Sequence, residues 1–176
     1  MLTWNKRCCA YKQRNSISRA SNESSRITPA LHSQIVNGEI TLKSHTRIVE
    51  SLRGGLIVSC QARQGSPVYG PRFMAAFAQC AEMAGAVGFR ANGSADVRAI
   101  RRVSRLPIIG INKQRDSRWQ VYITPTIGAA REVVRAGAEI VAVDATHRTR
   151  KGGMSPEALI TEIKNDLHCV VMADID

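Results

Sequence analysis

The 176-residue sequence holds only four histidines, and its five cysteines (Cys8, Cys9, Cys60, Cys80 and Cys169) include no C-x-x-C spacing. That argues against a zinc site or a disulfide framework and fits a reducing, cytoplasmic setting. Aromatic residues are scarce at 5%, which leaves little for nucleic-acid bases to stack on. No apolar run approaches the roughly 18 residues that a membrane-spanning helix needs. Neither G-x-G-x-x-G nor a P-loop follows the first apolar run, which weakens dinucleotide and nucleotide binding. Acidic residues are also few, 14 against 25 Lys+Arg, for a formal net charge of +11. That excess points to an anionic partner: nucleic acid, a membrane surface or a phosphorylated ligand. What is plentiful is apolar residues, at 44%, enough for the core of one domain.

The positive charge is uneven. The first 35 residues carry Lys6, Arg7, Lys12, Arg14, Arg19 and Arg26 against Glu23 alone, with six serines among them. Apolar residues there follow neither a period of 2 nor one of 3.6, so residues 1–46 read as a disordered extension. A transit peptide and a basic arm for nucleic acid are the functional alternatives to an unselected tail. A second cluster, Arg98, Arg101, Arg102 and Arg105, has helical spacing, with Val97, Ile100 and Val103 opposite. This predicts a surface helix with a solvated basic face.

From residue 47 onward, short apolar runs alternate with helical patterns. Strands are expected at 55–60, 86–90, 106–111, 139–143 and 169–173. Pro71 suits a helix start, and Phe73, Ala76, Phe77, Cys80 and Ala84 mark an apolar face. Ser94 and Thr126 are expected N-caps, Ser155-Pro156-Glu157 a helix start, and Gly85 and Gly137 expected stops. Strands separated by single helices imply parallel pairing. Helices on one side of the sheet would make a (β/α) barrel, and helices on both a doubly wound sheet.

Polar residues gather where these strands end: Gln61, Arg90 and Asn92, Lys113, Asp144 and Thr146, and Asp174. In a parallel barrel these ends share the face where active sites assemble. A lysine there can serve as a base if burial or neighbouring cations lower its pKa. An arginine suits a phosphate or carboxylate. Asn92-Gly93-Ser94 reads as a turn and cap rather than a glycosylation site, and His147 as a solvated loop residue.

The stretch from Gly54 to Asp174 resembles the N-acetylmannosamine-6-phosphate 2-epimerase family. The resemblance rests on GGLIVSCQA (54–62), AGAVGFRANG (84–93), PIIGINK (107–113), VYITPT (121–126), AGAEIVAVDAT (136–146) and MAD (172–174), in that order. It implies an α/β fold of the (β/α)8 TIM-barrel type, with about the first five units in residues 47–176. It also implies an isomerase of amino-sugar and sialic acid catabolism that needs no metal or other cofactor. Such enzymes interconvert N-acetylmannosamine 6-phosphate and N-acetylglucosamine 6-phosphate by taking a proton from C2 and returning one to the opposite face. By resemblance Lys113 is one of the two proton-handling groups. Gln61, Arg90 and Asp174 line the sugar site, with Asp144 and Thr146 standing second to them.

The family pattern continues through three further strands, which carry the partner carboxylate and the main phosphate-binding loops. Five strands without them predict little or no turnover by these 176 residues alone. They also predict open sheet edges that favour association between copies. A sharp two-state melt of a soluble monomer would count against that expectation. Other phosphate-binding barrels, and a nucleic-acid-binding protein acting through residues 1–46, are the competing readings. Asn112 stands where an apolar residue is expected.

Overall fold

A computed structural model of the chain describes residues 38–175. Helix α1 (Gly38–Ser51) leads into five strand–helix repeats: β1 (Ile57–Cys60), α2 (Pro71–Met83), β2 (Gly88–Asn92), α3 (Gly93–Val103), β3 (Ile108–Ile111), α4 (Ile127–Arg135), β4 (Ile140–Asp144), α5 (Pro156–Leu167) and β5 (Val170–Asp174). All strand pairs are parallel, in the order β1-β2-β3-β4-β5. Strict sequential order is that of a barrel wall; a doubly wound sheet reverses order part-way. The expected (β/α) barrel type is therefore what the chain forms, in five consecutive units.

Residue parity separates two cores. Phe89, Ala91, Ile108, Val141 and Val143 face the helices and pack with Val97, Ile100, Val133, Leu159 and Ile163. Ile109, Ile111, Ile140 and Ala142 face the other way, and Ile48 and Leu52 of the α1 region cover them. Residues 1–37 of the expected extension lie outside the described residues. Residues 38–46, however, are helical, so the folded part begins before residue 47. The covering contacts come from Ile48 and Leu52, four residues apart and thus one helical turn.

Local signals held at several helix ends. Thr126 Oγ1 accepts from the Ala129 amide and Ser155 Oγ from Ala158. Pro71 and Pro156 open their helices. The third cap differs: α3 begins at Gly93, with Asn92 rather than Ser94 at the cap position and no side-chain capping bond. The inward face of α2 differs too. Met74 and Ala78 are buried, whereas Phe73 and Phe77 are about 40% exposed. Two apolar stripes run along this helix about 100° apart, and period alone cannot choose between them.

The basic face of α3 is only partly solvated. Arg101 Nη2 pairs with Glu139 at 2.5 Å, and its Nε and Nη1 donate to the carbonyls of Gly137 and Ser104. Glu139 also accepts from the Ile108 amide at 3.0 Å. Gly137 is part of the joint. It has a φ of +111°, and a Cβ there would stand 3.0 Å from the Arg101 stem. Gly110 lies tight against α4 and the turn that follows it: a Cβ would lie 3.0 Å from that of Val133 and 2.7 Å from that of Ala138. Gly110→Ala is expected to destabilise by about 1–3 kcal/mol through overpacking, readable as a lower urea midpoint. An unchanged midpoint would mean that α4 moves away freely.

Candidate functional site

The inward parity of the sheet places Ser59, Arg90, Asn92, Asp144 and Asp174 on one side, toward the C-terminal strand ends. Lys113 follows the same alternation two residues beyond Ile111. Its neighbour Asn112 turns to the helix side, where Nδ2 donates to Glu132 Oε2 at 2.7 Å. A polar residue is thus accommodated at a position where the sequence suggested an apolar one.

Lys113 is fixed from both sides of its backbone. Its amide donates to Asn92 Oδ1 at 2.9 Å, and it forms an antiparallel bridge with Ile123. Residues 121–124 fold back along the end of β3. Gln114 N donates to the Tyr122 carbonyl, and Thr124 Oγ1 accepts from Asn112 N. Thr124 is buried with a φ of +45°. Alternating Val121-Tyr122-Ile123 is the sequence signal for this return segment, which is too short to stand out by its period.

At the side-chain end, Lys113 Nζ donates to Gln61 Oε1 at 2.7 Å, and Gln61 Nε2 donates to Ser59 Oγ at 2.8 Å. Partial burial, then the charges of Arg90, Arg115 and Arg63, hold the Lys113 pKa below the usual lysine range; Asp174 pulls weakly the other way. Arg90 grips Asp174 through both guanidinium nitrogens. The structure thus brings Gln61 and Lys113 into direct contact, with the Arg90–Asp174 pair in the electrostatic environment of Lys113.

Asp144 and Thr146 form a separate turn. Asp144 Oδ1 accepts from the Thr146 amide at 2.9 Å and hydroxyl at 2.6 Å. The loop is pinned by Arg150, which is 3% exposed and donates to the carbonyls of Asp144 and Thr146. The sequence gives no sign that this arginine, one of three basic residues in a loop, is the buried one. Arg150→Met leaves both carbonyls without their donor and is expected to cost about 2 kcal/mol, measured by equilibrium urea denaturation. A loss below 0.5 kcal/mol, a small fraction of that expectation, would show that water replaces the guanidinium.

A cleft of about 720 Å³ opens above Lys113, lined also by Ser59, Gln61, Asn92, Tyr69, Tyr122 and two further arginines, Arg63 and Arg115. Sequence reasoning passed over both arginines. Each stands two residues beyond a strand-end residue, Gln61 and Lys113, and that repeated spacing is the signal. Among the described residues no three His, Cys, Asp or Glu side chains converge on a metal-sized site. Burial pushes the thiols of Cys60 and Cys169 up to about 11, so neither is poised as a thiolate.

Residues 74–176 match the family described as "Putative N-acetylmannosamine-6-phosphate epimerase". The chain belongs to this family. Proteins named "Putative N-acetylmannosamine-6-phosphate 2-epimerase" from Caldanaerobacter subterraneus subsp. tengcongensis and Thermosynechococcus vestitus are 44% and 46% identical over 129 residues. That is 73% of this chain and 54% and 56% of theirs. The solved N-acetylmannosamine-6-phosphate 2-epimerase from Clostridium perfringens superposes with a TM-score of 0.69 at 36% identity, covering 73% of this chain and 56% of that one. The chain spans about half the length of the curated relatives it matches. Lys113, Arg90 and Asp174 all fall within the stretch matched to the epimerase family, and Gln61 precedes it. No helix among the described residues is long and apolar enough to cross a membrane.

Proposed function

We propose that this chain carries the proton-abstracting part of a C2 epimerase acting on an N-acetylhexosamine 6-phosphate, with N-acetylmannosamine 6-phosphate as substrate. The observation that supports it is Lys113. Its amine lies at a strand end inside a cationic cleft, with a pKa held below that of a free lysine in a chain of the epimerase family. The C2 proton of the open-chain sugar lies next to a carbonyl and is acidic enough for an amine base. Lys113 in its neutral form takes that proton, and the surrounding guanidinium groups favour the anion left on the sugar. Gln61 orients the amine, while Arg90 and Asp174 meet the polar groups of the sugar. Asp144 and Thr146 shape the neighbouring wall of the site. Inversion needs a second group that returns a proton to the opposite face. The strand-end carboxylates among the described residues are already engaged, Asp174 by Arg90 and Asp144 by Thr146.

The 176-residue chain is therefore expected to exchange the C2 proton without net epimerisation. In heavy water, proton NMR should show the C2 signal of N-acetylmannosamine 6-phosphate fading with little N-acetylglucosamine 6-phosphate formed. A chain that leaves that signal intact overturns the reading. The reaction requires no metal or cofactor, and the cysteine pattern of the sequence supports a cytoplasmic location.

The pH profile gives a further expectation. The amine works deprotonated, so exchange rises with pH and levels off above the Lys113 pKa. Since that pKa is lowered by burial and by Arg90, Arg115 and Arg63, the plateau comes at a lower pH than for free lysine. Arg63→Gln removes one of these cations and shifts the profile to higher pH. A shift in the other direction would contradict the assignment.

A further inference from the structure

The cleft holds more positive charge than removal of the C2 proton requires. Arg53, Arg90, Arg101, Arg118 and Arg131 each pair with a carboxylate. Arg63 and Arg115 have no carboxylate partner among the described residues, yet both line the cleft beside Lys113. They come from different loops, those after β1 and β3, and face one space. Arg115 is also steered, with its guanidinium carbon 4.3 Å from the centre of the Tyr122 ring. Stacking holds the guanidinium plane and leaves its N–H edge free to donate. Tyr69 and Gln64 add polar groups to the same wall.

Two guanidinium charges facing one cavity repel each other unless an anion joins them. The acid that acts on Lys113, Asp174, is already held by Arg90. We propose that Arg63 and Arg115 form a phosphoryl-binding subsite at the mouth of the cleft. Two guanidinium forks match a phosphate dianion in charge and in donor geometry. The position is distinctive. Barrels of this type usually hold phosphate in the loops after strands seven and eight, whereas this subsite lies between the loops after the first and third. It deepens the proposed function by giving the sugar phosphate a second handle, and its charge argument stands without the epimerase chemistry.

The test is calorimetric titration of the full chain with inorganic phosphate at low ionic strength. Arg63→Gln and Arg115→Gln are compared with the parent chain, and Arg98→Gln, on the exposed outer face of α3, serves as control. Each cleft variant is expected to weaken phosphate binding about tenfold, and the control to leave it unchanged. N-acetylmannosamine 6-phosphate should compete for the site, and unphosphorylated N-acetylmannosamine should not. Equal weakening in all three variants, or none in the cleft pair, overturns the subsite. C2 exchange in the same samples separates the two readings. Phosphate binding through Arg63 and Arg115 without exchange sustains the subsite and sinks the epimerase chemistry. Exchange with phosphate binding indifferent to both arginines does the reverse.

Discussion

Lys113→Ala should lower deuterium uptake at C2 of N-acetylmannosamine 6-phosphate by about 10²–10⁴-fold, the range expected for loss of a positioned base. The amine is held at 2.7 Å from Gln61 Oε1 while its own backbone amide is tied to Asn92. It is therefore aimed at a fixed point rather than free to sweep the cleft. Its side chain contributes little to the core, so the alanine variant should fold as the parent does, which circular dichroism can check. Lys113→Arg is the sharper control. It keeps the charge and approximate reach, but a guanidinium does not release its proton at any working pH. It should be as inactive as alanine. If arginine restored exchange, the role of residue 113 would be electrostatic, and the base would have to be sought elsewhere.

The largest expected loss of stability comes from Glu139→Ala, at about 3 kcal/mol. Three bonds meet on this carboxylate: two from Arg101 Nη2, at 2.6 Å and 2.5 Å, and one from the Ile108 amide. Removing it leaves a half-buried guanidinium without its counter-charge and the start of β3 without an acceptor. Glu139 remains about one-third exposed, so solvent screens part of the ion pair and keeps the figure below that for a fully buried one. Glu139→Gln can still accept from Ile108 and should lose about half as much. Thermal melting of the three chains would show the ranking. Equal melting temperatures would mean that water satisfies both groups.

Much of the wall was legible in the sequence because its signals are local. Thr126, Ser155, Pro71 and Pro156 act within one turn of their own position, and short apolar runs such as 140–143 read as buried strands. The sequence likewise put Lys113 at a strand end, although which side it takes is read from the sheet's two cores. The features that escaped depend on what lies across space. Which of two apolar stripes α2 buries is decided by its neighbours, not by its own period. Arg101 looks like the other arginines of its cluster until Glu139, 38 residues away, is brought beside it. Asn92 reads as a turn residue at a strand end, but its side chain accepts from the Lys113 amide just past the next strand. Arg63 and Arg115 are ordinary loop residues until two loops converge.

Arg150 has a consequence for how this chain can change. One side chain, reaching back to the carbonyls of Asp144 and Thr146, fixes the exit of β4, while His147, Arg148, Thr149 and the residues from Lys151 to Met154 stay exposed. The shape of the turn is thereby uncoupled from most of its composition. Mutation can rewrite the exposed span, and so retune what meets a ligand there, without disturbing the strand end beneath. A loop held by its own hydrophobic cluster would have no such freedom.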